Sequence, residues 1–84
     1  MPKDYKTRLQ EASQQRFGEP PLYTRLGSHG PEHAKVFEIS LRMPNGVEFT
    51  ASGSSCKKAE QNAAQQALAA LAAGTLKTPV APAR

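Results

Sequence analysis

Residues 37–52 read FEISLRMPNGVEFTAS, and the alternation of apolar and polar side chains in this stretch decides the fold. The apolar positions recur at every second residue on both sides of a Pro-Asn-Gly tripeptide: Phe37, Ile39, Leu41 and Met43, then Val47, Phe49 and Ala51. A period of two with one apolar face is typical of half-buried strands. We therefore predict two antiparallel strands joined by a hairpin loop.

The length of that loop follows from the same pattern. A three-residue loop over residues 44–46 keeps Met43 on the apolar face and sets Arg42 opposite Glu48 on the solvent side. A two-residue Asn-Gly loop would shift the register by one and place Met43 opposite Glu48, which a buried face does not tolerate. We predict the three-residue loop, with Gly46 in the left-handed conformation.

Two segments that contain no Gly or Pro lie on either side of the strands and are predicted to be helices. The first covers residues 4–16, with Asp4 as the predicted N-cap and Gly18 as the stop signal. The second covers residues 56–72 and begins after a Gly-Ser-Ser sequence that offers an N-cap. Its repeated alanines form a small-residue face that can lie close against a sheet.

A further strand is predicted over residues 22–27, followed by a loop over residues 28–34 (SHGPEHA). The order helix, strand, strand, strand, helix predicts an α+β fold: a three-stranded antiparallel sheet with two helices packed on one face. We predict a single domain over residues 4–72, with flexible termini at residues 1–3 and 73–84.

Length and charge limit the function classes. The chain has 84 residues, 11 Lys plus Arg and 7 Asp plus Glu, giving a net charge of +4. That excess suits a polyanionic partner, although ordinary small basic domains reach it too. The single cysteine excludes an internal disulfide, and no apolar segment could cross a membrane or serve as a secretory signal. We therefore expect a cytoplasmic protein without a membrane partner.

The start of the second helix is the clearest candidate binding feature. Lys57 and Lys58 lie where the helix dipole disfavours cations, beside backbone N–H groups that have no partner within the helix. A phosphate at this end would satisfy both the amides and the lysines. The alternative is that two exposed lysines are simply tolerated there. Residues 27–30 also match the GxxG clamp of KH domains, but they separate two strands rather than two helices.

Arrangements that would point to catalysis or to a metal are weak. His29 and His33 are too few ligands for a metal site, and Pro31 between them argues against a shared helical face. Cys56 has no orienting partner of the kind that activates a nucleophile. The acidic residues are scattered, whereas metal-assisted hydrolysis needs clustered carboxylates. We predict no catalytic residue, no metal, no cofactor and no small-molecule substrate.

Five motifs together resemble the double-stranded RNA-binding domain family, and most of all the C-terminal domain of bacterial ribonuclease III. They are Lys-Thr-x-Leu-Gln-Glu (6–11), Pro-x-Tyr (21–23), Gly-Pro-Glu-His-x-Lys-x-Phe (30–37), Gly-Ser-Ser (53–55) and Lys-Lys-Ala-Glu-x-x-Ala-Ala-x-x-Ala-Leu (57–68). The motifs occur in the family's order. The resemblance implies the α-β-β-β-α fold of that family and binding of A-form RNA.

The resemblance also implies which regions meet RNA. The first helix would contact one minor groove, and the loop between the first two strands would enter the next. The start of the second helix would bind the phosphates across the intervening major groove. The residues so implied are Thr7, Gln10, Glu11, His33, Ser55, Lys57 and Lys58. One departure concerns Cys56, Lys57 and Glu60, where many members carry basic residues and only Lys57 does here. Lys58, at a variable position, can substitute.

The resemblance to a C-terminal domain implies a larger parent protein. The resemblance indicates a ribonuclease III-type endoribonuclease that processes structured RNA such as ribosomal RNA precursors. Such a parent would be a homodimer through a catalytic domain that uses magnesium. A second hypothesis is a stand-alone RNA-binding or protein-interaction domain of the same fold. The Gly-Pro-x-His loop and the basic helix start, which a degenerate interaction copy would be expected to lose, favour the RNA-binding hypothesis.

Overall fold

The computed structural model describes residues 4–74 and confirms the predicted order of elements. The sheet is antiparallel, its three strands are adjacent in chain order, and one helix precedes and one follows it in the sequence. The elements are α1 (Tyr5–Phe17), β1 (Leu22–His29), a 3₁₀ turn (Glu32–Ala34), β2 (Val36–Arg42), β3 (Glu48–Gly53) and α2 (Cys56–Ala73). No helix among the described residues is both long and apolar enough to cross a membrane.

The β2–β3 hairpin has the predicted register. Leu41 pairs with Phe49 and Arg42 with Glu48, so the loop contains three residues. The Met43 amide donates to the Val47 carbonyl at 2.8 Å and closes the loop. Gly46 has a φ of 96°, the left-handed conformation that the loop requires.

The first helix begins one residue later than predicted, because Asp4 lies outside it as the N-cap. The Asp4 carboxylate accepts a hydrogen bond from the Thr7 amide at 2.8 Å. At the other end the helix continues to Phe17 and stops at Gly18, whose φ is 77°. The Gly18 amide donates to Gln14, which satisfies a carbonyl of the last turn.

The predicted end of β1 was wrong. The strand continues beyond residue 27 to His29, which pairs with Val36, and part of the expected loop is a 3₁₀ turn. A β-bulge between Arg25 and Gly27 shifts the register and leaves Leu26 exposed. Because an extra residue interrupts the period of two, the alternation pattern could not follow the strand through the bulge.

The core lies between the inner face of the sheet and the helices. Its fully buried apolar side chains are Leu9, Ile39, Leu41, Met43, Ala59, Ala63, Ala64 and Ala67. The four alanines all come from α2, so the predicted small-residue face is the one that packs on β2 and β3. Side-chain amides of α2 also reach the edge strand, since Asn62 donates to the Ser52 carbonyl at 2.8 Å.

Ser13 is the buried polar residue that the apolar pattern of α1 did not reveal. Its hydroxyl donates to the Glu19 carbonyl at 2.7 Å, which ties the helix to the segment that leaves it. The expected flexible termini lie mostly outside the described residues. Within residues 4–74, α2 extends to Ala73 and Gly74 caps it in the left-handed conformation.

Candidate nucleic-acid interface

The N-terminus of α2 is an exposed, positively charged helix end. Ser55 is the N-cap, and its hydroxyl oxygen accepts from the Lys58 amide at 3.1 Å. The first turn contains no acidic residue, and Lys57 and Lys58 are both exposed. The amides of this turn, the helix dipole and two ammonium groups therefore favour an anion at the same place.

The exposed side of α1 carries the polar residues that the sequence singled out. Thr7, Gln10, Glu11 and Gln14 are all solvent-exposed, whereas Leu9 faces the core. The last three of these polar residues, with Gln15, line a shallow depression on the helix surface. This side of α1 offers amide and carboxylate groups at the spacing of successive helical turns, which suits hydrogen bonding to a grooved surface.

His33 lies in the 3₁₀ turn between β1 and β2 and is exposed. The turn is shaped by Gly30, where φ is 97° and an added Cβ would lie 2.9 Å from the Ala34 carbonyl oxygen. The register pairs Phe37, at the start of β2, with Gly53, at the end of β3. The connection that carries His33 therefore leaves the sheet at the end where α2 begins.

The start of α1 is fastened to the second turn of α2. Gln61 Oε1 accepts hydrogen bonds from the amides of Tyr5, at 2.9 Å, and Lys6, at 3.2 Å. The pKa of Asp4 is lowered chiefly by its hydrogen bonds from Thr7, with smaller effects from Gln61 and from the charge of Lys57. The hydrogen bonds to Gln61 thus hold the start of α1 beside the N-terminus of α2.

A cluster at this junction was missed by the sequence analysis. Lys6 Nζ lies 2.5 Å from Glu60 Oε1 and 5.0 Å from the centre of the Tyr23 ring. Burial, together with the charges of Glu60 and Asp4, raises the pKa of Tyr23 to about 12. The Tyr23 hydroxyl has no hydrogen-bond partner among the described residues. Lys6 and Glu60 both fall within quoted motifs, but no local spacing connects residues so far apart in sequence.

The described residues do not assemble a metal site. No group of three His, Cys, Asp or Glu side chains within residues 4–74 is arranged to hold an ion. His29 Nε2 lies 3.4 Å from the Glu38 carboxylate. Cys56 is a half-buried free thiol in the first turn of α2.

Comparison with known proteins places the chain in a family. The family model described as "Double-stranded RNA binding motif" matches residues 5–71. Ribonuclease 3 of Nitratidesulfovibrio vulgaris is 52% identical over 69 residues, which are 82% of this chain and 27% of that protein. Ribonuclease 3 of Oleidesulfovibrio alaskensis is 52% identical over 79% of this chain and 29% of its own length. For Campylobacter concisus Ribonuclease 3 the identity is 54%, over 79% of this chain and 30% of that protein.

The chain thus spans less than a third of the length of these relatives. The matched region begins in the first turn of α1 and ends in the last turns of α2, so it includes every element of the fold. On both the sequence match and the α-β-β-β-α architecture, the chain belongs to the double-stranded RNA binding motif family.

Proposed function

We propose that this chain binds double-stranded RNA through the surface centred on the N-terminus of α2. The observation that carries the proposal is the combination of an acid-free first turn with exposed Lys57 and Lys58, flanked by the start of α1. Phosphates would occupy this helix end. The Ser55 hydroxyl accepts from the helix amide and still has a proton to donate to a phosphate oxygen.

The flanking regions would read the shape of the duplex. A-form RNA has a wide, shallow minor groove that displays 2′-hydroxyls, and domains of this kind span roughly 16 base pairs. Thr7, Gln10 and Glu11 would contact one minor groove, and His33 would contact the next. Hydrogen bonds to 2′-hydroxyls would separate RNA from DNA, since B-form DNA has neither these hydroxyls nor the same groove spacing.

We further propose that the natural protein is a ribonuclease III-type endoribonuclease, of which this chain is the RNA-binding module. The name of the relatives and the small share of their length that the chain spans support this proposal. The parent would act in the cytoplasm as a homodimer on structured RNA such as ribosomal RNA precursors. Magnesium would belong to its catalytic domain.

The module itself would bind RNA without cutting it. Its carboxylates are distributed over the fold and engaged in separate contacts. Asp4 caps α1, Glu48 pairs with Arg42 at 2.7 Å, and Glu60 pairs with Lys6. Cleavage through bound metal requires several carboxylates converging on one small site. The contribution to the parent would be affinity and a raised local concentration of substrate.

The direct test is a titration of the chain against duplex RNA, duplex DNA of the same sequence and the separated RNA strands. We expect at least about a tenfold preference for duplex RNA, equivalent to one or two good hydrogen bonds. Equal affinity for duplex DNA would contradict recognition of the A-form grooves. Absence of any RNA binding would favour the protein-interaction alternative.

A further inference from the structure

Lys6 and Glu60 join α1 to α2 at the centre of the proposed interface. We propose that this ion pair is a positioning contact: it holds the RNA-facing side of α1 and the phosphate-binding end of α2 at the separation that one duplex requires. The inference rests on the proposed function and assigns a role to two residues that would not themselves touch RNA. It predicts that binding depends on the pair only when both helices must engage the same duplex.

The contacts of Lys6 support a positioning role. Its ammonium group lies 2.5 Å from the Glu60 carboxylate and 5.0 Å from the centre of the Tyr23 ring, so it connects α1, α2 and β1. The Lys6 side chain is 38% exposed and that of Glu60 is 23% exposed. Partial removal from water strengthens the attraction relative to a fully exposed pair, and the aromatic face adds a cation–π contact.

The backbone is fixed at the same point. The amides of Tyr5 and Lys6 both donate to the Gln61 side chain, so α1 is held by adjacent residues of α2 through its main chain and through a side chain. Thr7 follows Lys6 directly, and Lys57 and Lys58 precede Glu60 within one helical turn. A slide or rotation of α1 at this junction would therefore displace Thr7 relative to the two lysines.

If charge alone mattered, removing the Glu60 carboxylate would strengthen RNA binding, whereas loss of a positioning contact would weaken it. Its carboxylate lies in the second turn of α2, near the end where phosphates are proposed to bind, and should repel them. Replacement by glutamine removes that repulsion and frees the Lys6 ammonium. Simple electrostatics thus predicts tighter binding of Glu60→Gln, whereas a positioning contact predicts weaker binding. The sign of the change distinguishes the two.

The experiment measures the affinity of the full chain, of Glu60→Gln, of Lys6→Gln and of the double variant for RNA duplexes of two lengths. A duplex of about 20 base pairs accommodates the whole interface, whereas one of about 8 base pairs covers only half of the roughly 16 that such a domain spans and is too short for α1 and the α2 lysines to make all their contacts at once. For the long duplex we expect each single variant to bind about fivefold more weakly, and the double variant to lose no more than either single variant. For the short duplex we expect no loss.

Glu48→Gln is the matched control. It breaks the Arg42–Glu48 pair on the other face of the sheet and changes the net charge by the same amount. Its affinity for both duplexes should stay at the wild-type value. The ratio of long-duplex to short-duplex affinity is also insensitive to the folded fraction, so a modest loss of stability in a variant does not disturb the comparison.

The salt dependence provides the second readout. Loss of a phosphate contact flattens the slope of log affinity against log salt by about 0.7 to 0.9, whereas a positioning defect leaves the slope unchanged. A flatter slope for Lys6→Gln, or a Glu60→Gln variant that binds the long duplex as well as or better than wild type, would overturn the inference while leaving the proposed function in place. Wild-type protein that binds neither duplex would overturn both.

Discussion

Gly53 lies against the backbone of Ala59, so closely that a Cβ added to Gly53 would be 2.7 Å from the Ala59 nitrogen. The same atom would be 3.0 Å from the carbonyl carbon of Lys58. These neighbours are backbone atoms of the first turns of α2 and cannot rotate away. The end of β3 and the start of α2 are therefore in contact only because residue 53 has no side chain.

We expect Gly53→Ala to displace the start of α2 and to lower the free energy of unfolding by about 1–3 kcal/mol. Affinity for duplex RNA should fall as well, since the displaced turn carries Lys57 and Lys58. Chemical denaturation and RNA titration measure the two effects. Ser52→Ala is the control at the neighbouring exposed position and should change stability by less than about 0.5 kcal/mol. Wild-type stability of Gly53→Ala would contradict the close approach.

Replacing Lys57 and Lys58 together by alanine should weaken binding of all RNA duplexes alike. The slope of log affinity against log salt should flatten by about 1–2 units, because each phosphate contact contributes just under one. Thermal stability should stay the same or rise slightly, since cations at a helix N-terminus are unfavourable. The control is a double variant with Arg8→Ala and Arg16→Ala, which removes the same amount of positive charge from a groove on α1 instead of from the start of α2. If the slope flattens by the same amount in both double variants, the phosphate contacts are not concentrated at the start of α2.

The N-cap of α1 should make stability depend on pH in the acid range. Hydrogen bonds from Thr7 hold the pKa of Asp4 below its ordinary value of 3.8. A depressed pKa means that the carboxylate stabilises the fold above its unfolded pKa, and that this contribution is lost as the pH falls through the folded pKa. The melting temperature of Asp4→Ala should therefore be below that of wild type at neutral pH.

In strong acid the two melting temperatures should converge. Asp4→Asn is the informative companion, because asparagine is also a good N-cap but does not titrate. Its melting temperature should exceed that of the alanine variant at neutral pH and at acid pH alike. A wild-type to alanine difference that stays constant down to about pH 2, well below the ordinary carboxyl pKa, would show that the charge of Asp4 is not involved.

The chain should leave duplex RNA intact when incubated with millimolar magnesium. No group of three His, Cys, Asp or Glu side chains within residues 4–74 is arranged to hold a metal. Electrophoresis of end-labelled duplex reads out the result, and a variant with both α2 lysines replaced serves as a control for copurifying nuclease. Defined products that follow the chain through purification and vanish with those lysines would contradict this prediction.

The hairpin was predictable to the residue because its information is local. Alternation from Phe37 to Ala51 left one register that buries Met43, and the structure has that register. The α1 and α2 caps were recognised for the same reason, since Asp4 and Ser55 satisfy amides only three residues away. Local chemistry therefore specified most of the secondary structure.

The contacts that assemble the candidate interface were not predictable in this way. Lys6 is separated by 54 residues from Glu60, and Tyr5 by 56 from Gln61, so no spacing rule relates them. The bulge near Leu26 was not predicted either, because one inserted residue inverts the apolar–polar alternation by which a strand is recognised. The sequence named single candidate residues, whose contact with RNA stays a prediction, whereas the contacts between α1 and α2 depend on tertiary packing.

The hydrogen bonds from the start of α1 to Gln61 hold the N-termini of the two helices side by side, and this affects how the domain approaches RNA. Near the other end of α2, Leu68 and Leu71 share a groove with Arg8 and Arg16, so the two helices run in the same direction. In an antiparallel pair the helix dipoles oppose each other, but here they add and place both positive ends together. Within a Debye length of about 8–10 Å, we expect that polarity to turn the domain toward a phosphate backbone before contact, and so to favour rapid, correctly oriented association.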